Sequence, residues 1–201
     1  SNNTAVGHQS LYSNTASNTT AVGFWALRNN TTGIFNVALG VSALKNNTIG
    51  SYNTAVGTNA LTCNTTGNLN TAVGLNSVFC NTTGVGNTGL GLSALYKNSN
   101  GNNNVAIGRY SVLCNISGNN NVGIGYSALR FNTASSNTAV GCGALRNNTV
   151  GGNNTAIGLG AMVNNTDGGS NFAGGLNAML SNTGGSNNIA VGQDTLFANT
   201  V

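Results

Sequence analysis

Cys63 and Cys80 stand 17 residues apart in matching strings, TCNTTG and FCNTTG, and Cys114 falls in a third such string, LCNISG. Thiols repeated in this way form a disulfide where the fold stacks one string on the next, or remain small half-buried side chains. Cys142 lies outside the pattern. Metal binding by these thiols lacks further ligands, because there is no CxxC and His8 is the lone histidine. Acid–base chemistry has only Asp167 and Asp194, far apart in chain and pattern, so no carboxylate pair or triad assembles. The repeated Asp of calcium-binding solenoids is missing. Glycine strings such as Gly89-Leu90-Gly91 and Gly123-Ile124-Gly125 lack the strand–loop–helix context of a phosphate cradle. The expectation is no enzyme, no bound metal and no cofactor.

What places these residues is a repeat that fills the chain. Aligned on the first residue of NTAVG, copies begin at Asn3, Thr19, Asn36, Asn53, Asn70, Asn87, Asn104, Asn121, Asn137, Asn154, Asn171 and Asn188. The spacing is 17 residues, or 16 in the copies that begin at Asn3 and Asn121, which carry Ala16-Ser17 and Ala134-Ser135 where the others carry a residue and Gly. The consensus is N-T-A-V-G-x-x-A-L-x-x-N-T-T-G-x-x. Position 5 is always Gly, position 12 always Asn, position 9 always Leu, Val or Met, and position 4 aliphatic except at Gly174.

Composition narrows the class. Charged residues make up 4% of the 201, Pro is absent, and Asn is about a fifth of the chain. Low charge and periodic aliphatic residues argue for order over a flexible linker. Six cations against two acids give +4, too sparse for a phosphate-backbone footprint, so nucleic acid is not an expected partner. No apolar run approaches the roughly 20 residues that span a bilayer, so membrane insertion is not expected. SNNTAVGHQS has neither the basic start nor the apolar segment of a signal peptide. Either a leader has been removed, export takes another route, or the chain is a piece of a longer one.

Seventeen residues cannot hold a helical pair, and Gly, Asn and Thr are poor helix formers. Thr-Ala-Val and Ala-Leu read as short strands bounded by turn signals, with Gly at positions 5 and 15 free to take positive φ at corners. The expected fold is all-β: a parallel β-solenoid, or β-roll, with one ~17-residue repeat per coil, about 12 coils and a single domain over residues 1–201. At ~4.8 Å per rung the rod would be roughly 55–60 Å long. Stacking turns position 12 into a ladder of amides, inward or at a corner: Asn14, Asn30, Asn47, Asn64, Asn81, Asn98, Asn115, Asn132, Asn148, Asn165, Asn182 and Asn199. The alternative is that these Asn only shape turns. Each rung would bury two sizeable aliphatics, at positions 4 and 9, a thin core that favours burial against another chain. Ser1 and Asn2 match the last two repeat positions, and Thr200 and Val201 the thirteenth and fourteenth. The ends therefore read as uncapped, which suggests continuation or head-to-tail stacking.

Stacking would put Cys63 over Cys80, the pair nominated for a disulfide. Position 10 is the informative variable position: Tyr12, Arg28, Lys45, Phe79, Tyr96, Arg130, Arg146 and Phe197 give it four of the six cations and large side chains. It is read as a stripe contacting a neighbouring subunit or a receptor glycan, or else as an ordinary solvated edge. Phe24 and Trp25, with Tyr110 and Tyr126, suggest a second aromatic patch. Sequons at position 12 would be shielded in an inward ladder, leaving Asn46, Asn147 and Asn164 as candidate glycosylation sites.

The string NTAVGxxALxxNTTG resembles repeats of phage and bacterial tail-fibre proteins that end in an intramolecular chaperone domain. It is also similar to the heads of YadA-like trimeric autotransporter adhesins, on segments such as Thr4-Ala5-Val6-Gly7, Val105-Ala106-Ile107-Gly108 and Thr155-Ala156-Ile157-Gly158. The resemblance implies a left-handed β-roll, commonly trimeric, in an extracellular, cell-surface or virion fibre. The YadA-type repeat is shorter, and its second small-x-Gly half is missing here. Together these observations lead to the expectation of a structural, adhesive fibre subunit whose partner is itself, as a trimer or a head-to-tail filament. Two other readings stand beside it. One is an ice-binding solenoid with Thr ladders at positions 2 and 13, and the other a fibre tip that binds a cell-surface glycan through position 10.

Overall fold

The computed structural model describes residues 2–200, so the repeat positions assigned to Ser1 and Val201 lie outside the described residues. The chain is a parallel β-solenoid. Twelve strands of three residues, from β1 (Thr4–Val6) to β12 (Ile189–Val191), stack in chain order in one parallel sheet, and no helix occurs among the described residues. Register is residue on residue: Thr54 pairs with Thr71, Ala55 with Ala72 and Val56 with Val73. It holds across both 16-residue copies, with Thr4 on Thr20 and Val122 on Thr138. The missing residue is therefore absorbed outside the sheet, at the Ala16 and Ala134 corners.

The second strand expected at Ala-Leu does not form. Positions 7 and 9 both have positive φ throughout, as at Asn59 (58°) and Leu61 (51°), or Asn76 (55°) and Val78 (48°). A left-handed residue at every other position prevents an extended run, so this side of the coil is a stack of tight turns. It is still hydrogen-bonded between coils. Leu61 N–H donates to Ser77 C=O (3.1 Å) and Cys63 N–H to Phe79 C=O (3.1 Å) in the following coil. Asn59 N–H donates back to Val41 C=O (2.9 Å) in the preceding one.

The corner glycines divide by cause. Position 5 has positive φ as expected, 126° at Gly57. Position 15 does not; there the requirement is space. A Cβ on Gly50 would collide with the carbonyl of Gly67 and reach within 2.5 Å of Asn47 Oδ1.

The core is thinner than two large aliphatics per coil. Coil 4 buries Ala55, Ala60 and Leu61 completely, and the same trio, with occasional replacements, fills the other inner coils. Position 4 points outward. A three-residue strand turns its middle side chain to one face and its outer two to the other, and here the middle residue is the small one. The aliphatics expected to fill the interior therefore line the surface.

Candidate interaction surfaces

Asn64 illustrates what position 12 does. Its Nδ2 donates to Asn47 Oδ1 in the preceding coil (2.7 Å) and to the C=O of Gly67 in its own (3.0 Å), while its Oδ1 accepts from Asn81 Nδ2 (2.8 Å). The ladder is inward. Asn30, Asn47, Asn64, Asn81, Asn98, Asn115, Asn132, Asn148, Asn165 and Asn182 are fully buried, and Asn14 and Asn199 half-buried at its ends. A second ladder, unread in the sequence, runs along position 1. Asn53 N–H donates to Asn36 Oδ1 (2.9 Å), and Asn53 Nδ2 reaches the same Gly67 carbonyl (2.9 Å). Its signal was plain, since position 1 is Asn in every copy but the one that begins at Thr19. Both ladders converge on the position-15 carbonyl, or on Ala16 or Ala134 C=O in the two shorter coils, so an inner coil with Asn at both positions closes on two amides.

The outer amides differ. Asn46 and Asn147 are half-buried and Asn164 exposed. They form looser side-chain bonds along position 11, Asn29 Nδ2 to Asn46 Oδ1 (3.2 Å) and Asn147 Nδ2 to Asn164 Oδ1 (3.3 Å). At position 13 the hydroxyls are spent on the backbone: Thr48 Oγ1 donates to Thr65 C=O (3.0 Å) and Thr65 Oγ1 to Thr82 C=O (3.0 Å).

Cys63 and Cys80 stack on successive coils as expected, but they are free thiols and the disulfide is not formed. In-register rungs keep equivalent Cβ atoms about 4.8 Å apart, beyond the roughly 3.5–4.5 Å of a disulfide. Burial pushes both thiols up, and for Cys80 the neighbouring Cys63 adds to the rise while Lys97 lowers it in part. Cys114 is half-buried and Cys142 exposed.

Position 10 is mostly a half-buried row. Tyr12, Arg146 and Phe197 are exposed, Arg28, Lys45, Phe79, Tyr96 and Arg130 half-buried, and Thr62 buried. Phe79 and Tyr96 stack at 5.2 Å. The positive φ at position 7 folds that side chain beside position 10, and this produces two cation–aromatic clusters. Lys45 Nζ lies 4.1 Å from the Trp25 ring centre, and Arg28 Cζ 5.6 Å from Trp25 and 5.8 Å from Tyr12. Further along, Arg109 Cζ lies 4.7 Å and Arg130 Cζ 5.3 Å from the Tyr110 ring. Arg109 Nη2 also donates to Tyr110 Oη (3.3 Å), which pushes Arg109 further up. The aromatic residues expected as one patch are thus two separate pairs, Phe24–Trp25 (4.4 Å) and Tyr110–Tyr126 (6.4 Å).

Position 4 and its neighbour position 6 carry the largest exposed apolar surface. Val22, Leu39, Val73 and Ile157 at position 4, with Phe24, Val41, Leu75, Tyr126, Leu159 and Leu176 at position 6, are all exposed, Leu159 by 56%. Rung stacking joins them into a stripe along the sheet edge.

Among the described residues there is no enclosed pocket and no group of three His, Cys, Asp or Glu that would hold a metal ion. No described helix is long and apolar enough to cross a membrane. Comparison with models of protein families, with curated protein sequences and with solved structures finds no match to this chain.

Proposed function

We propose that the chain is a structural fibre segment, a rigid rod that assembles side by side with copies of itself in an extracellular, cell-surface or virion fibre. The observation that carries this reading is the aliphatic stripe of positions 4 and 6. Along a rod of roughly 55 Å, and about 10 Å wide, it exposes on the order of 500 Å² of apolar surface. That is near the upper end of the roughly 300–600 Å² of the largest apolar patch on a soluble monomer, a patch that is often a functional contact surface. Position 4 recurs as an aliphatic on every rung but that of Gly174, so another rod of the same pitch matches it along most of its length. Inward side chains cannot explain why position 4 is aliphatic in all copies but one, since position 4 faces out. A covered surface does.

The ice-binding reading loses its better ladder, because the position-13 hydroxyl hydrogens already go to backbone carbonyls. Sedimentation velocity tests the fibre reading. The chain at micromolar concentration should sediment as an oligomer or filament, and Leu39→Lys with Leu75→Lys and Leu159→Lys should shift it to monomer with an unchanged circular dichroism spectrum. A stable monomer for the unmodified chain would sink the proposal. Electron micrographs of the same sample separate trimers from continuous filaments.

A further inference from the structure

The two cation–aromatic clusters share one construction. Position 7 is aromatic in only two copies, at Trp25 and Tyr110, and four of the chain's six Lys and Arg surround those two rings. In each cluster one cation comes from the ring's own coil (Arg28, Arg109) and the other from position 10 of the next (Lys45, Arg130). In each, one arginine has a buried Nε with no hydrogen-bond partner, Arg28 in the first and Arg130 in the second. A buried guanidinium donor with nothing to donate to is a costly arrangement.

No carboxylate relieves the charge. The chain's two acids, Asp167 and Asp194, belong to the tenth and twelfth copies, beyond both clusters. The rings hold the cations close to the surface with reduced rotamer freedom, so each cluster is a preorganised, uncompensated positive spot. Trp25 and Tyr110 occupy the same position five coils apart, which places the spots on one face about 24 Å apart. Beside each is a second, exposed aromatic that the same arginine approaches, Tyr12 in the first (Arg28 Cζ at 5.8 Å) and Phe131 in the second (Arg130 Cζ at 5.1 Å).

We propose that this face binds a linear acidic polysaccharide, laid along the rod so that its anionic groups reach the Arg28–Lys45 and Arg109–Arg130 pairs while sugar C–H faces rest on Tyr12 and Phe131. Single-stranded nucleic acid fits less well. Four positive side chains in two separate pairs are a small phosphate footprint.

The test is titration calorimetry of the full chain with polygalacturonate at low salt, with dextran as the uncharged polymer and poly(dT) as the nucleic acid. Polygalacturonate should bind, dextran should not, and poly(dT) should bind at least tenfold more weakly. Arg28→Gln with Lys45→Gln, or Arg109→Gln with Arg130→Gln, should each lower polygalacturonate affinity at least tenfold. Lys97→Gln with Arg146→Gln removes the same charge elsewhere and should change it less than threefold. Charge-preserving Arg28→Lys with Lys45→Arg, checked by thermal melting, should retain binding within threefold if the Gln pair disturbs folding. Failure to bind polygalacturonate, equal loss from the Lys97–Arg146 pair, or poly(dT) binding as tight as the polysaccharide would each overturn the proposal. Because the fibre reading is scored by sedimentation and by changes at Leu39, Leu75 and Leu159, none of which touches the four cations, its failure is distinguishable from this one.

Discussion

A Cβ on Gly89 would stand 2.5 Å from Val78 Cγ2 and 2.7 Å from Ser77 Oγ, in the coil below. Gly123 has the same relation to Val112 and Ser111. Only these two copies have Gly at position 3, and only the copies beneath them have Ser-Val at positions 8 and 9. Val branches at Cβ and thrusts a methyl toward the strand above, where Leu does not, and Gly makes room for it. The serine hydroxyls then reach the glycine carbonyls, Ser77 Oγ at 2.8 Å and Ser111 Oγ at 2.7 Å. Gly89→Ala should therefore cost about 1–3 kcal/mol in urea unfolding, the range for overpacking a core. Adding Ser77→Ala and Val78→Leu recreates the regular pairing and should recover most of that loss. A neutral single variant, or a triple variant no better than the single, would count against the coupling.

The position-12 ladder has one broken step. Asn115 Oδ1 is buried without a partner, because Asn132, in a 16-residue coil, turns its Nδ2 to Ala134 C=O (2.8 Å). Asn132 still serves as acceptor for Asn148 Nδ2 (2.6 Å). Asn64 thus makes three side-chain hydrogen bonds and Asn115 two. Asn64→Ala should destabilise by roughly 2–5 kcal/mol, since it also leaves buried amide partners unpaired, and Asn115→Ala by about 1 kcal/mol less. Denaturant titration with hydrogen exchange read on the flanking coils checks both the order and the locality of the effect. Equal costs would mean that the ladder is not the source of stability at Asn64.

The 17-residue period made the stacking, the register and the inward Asn64–Asn81 ladder legible, because each follows from putting like on like. The path of the coil was not. Leu61 and Val78 at positive φ contradict local propensity, and only interlocking hydrogen bonds to the neighbouring coils hold them there. With that side of the coil taken for a strand, Val56 looked interior when it faces out. The clusters on Trp25 and Tyr110 were hidden for the same reason. Trp25 is three residues from Arg28 but twenty from Lys45, and Tyr110 adjoins Arg109 but is twenty from Arg130; coil stacking and the left-handed residue at position 7 bring each set together.

Position 17 also has positive φ, and Leu69 occupies it at 60° with 60% of its surface exposed. Leu gains little there and bears the steric cost of the left-handed region, whereas Asn, found at the same position in Asn103 and Asn120, tolerates it. Leu69→Asn should raise stability by about 0.5–1 kcal/mol, seen as a higher urea midpoint at unchanged slope. A drop in midpoint would show that Leu69 is covered by a contact in solution.

The thiols give a prediction with a defined pH sense. Burial raises Cys63 and Cys80, so in the folded chain they keep their protons to higher pH than in the unfolded one. Below the ordinary thiol range both states are protonated and the two groups leave stability unaffected. As pH rises through that range toward the raised folded values, the unfolded chain ionises first and stability falls. Replacing both with Ser should flatten this alkaline decline. Alkylation at pH 8 should follow the same physics: exposed Cys142 reacts first, and Cys63 and Cys80 at least several-fold more slowly because the thiolate is the nucleophile. Mass spectrometry of partially labelled chain reads the order directly. Labelling of Cys63 or Cys80 ahead of Cys142 would mean either that the turn stack opens readily or that Cys142 is covered by a neighbouring rod, and dilution to monomer distinguishes the two.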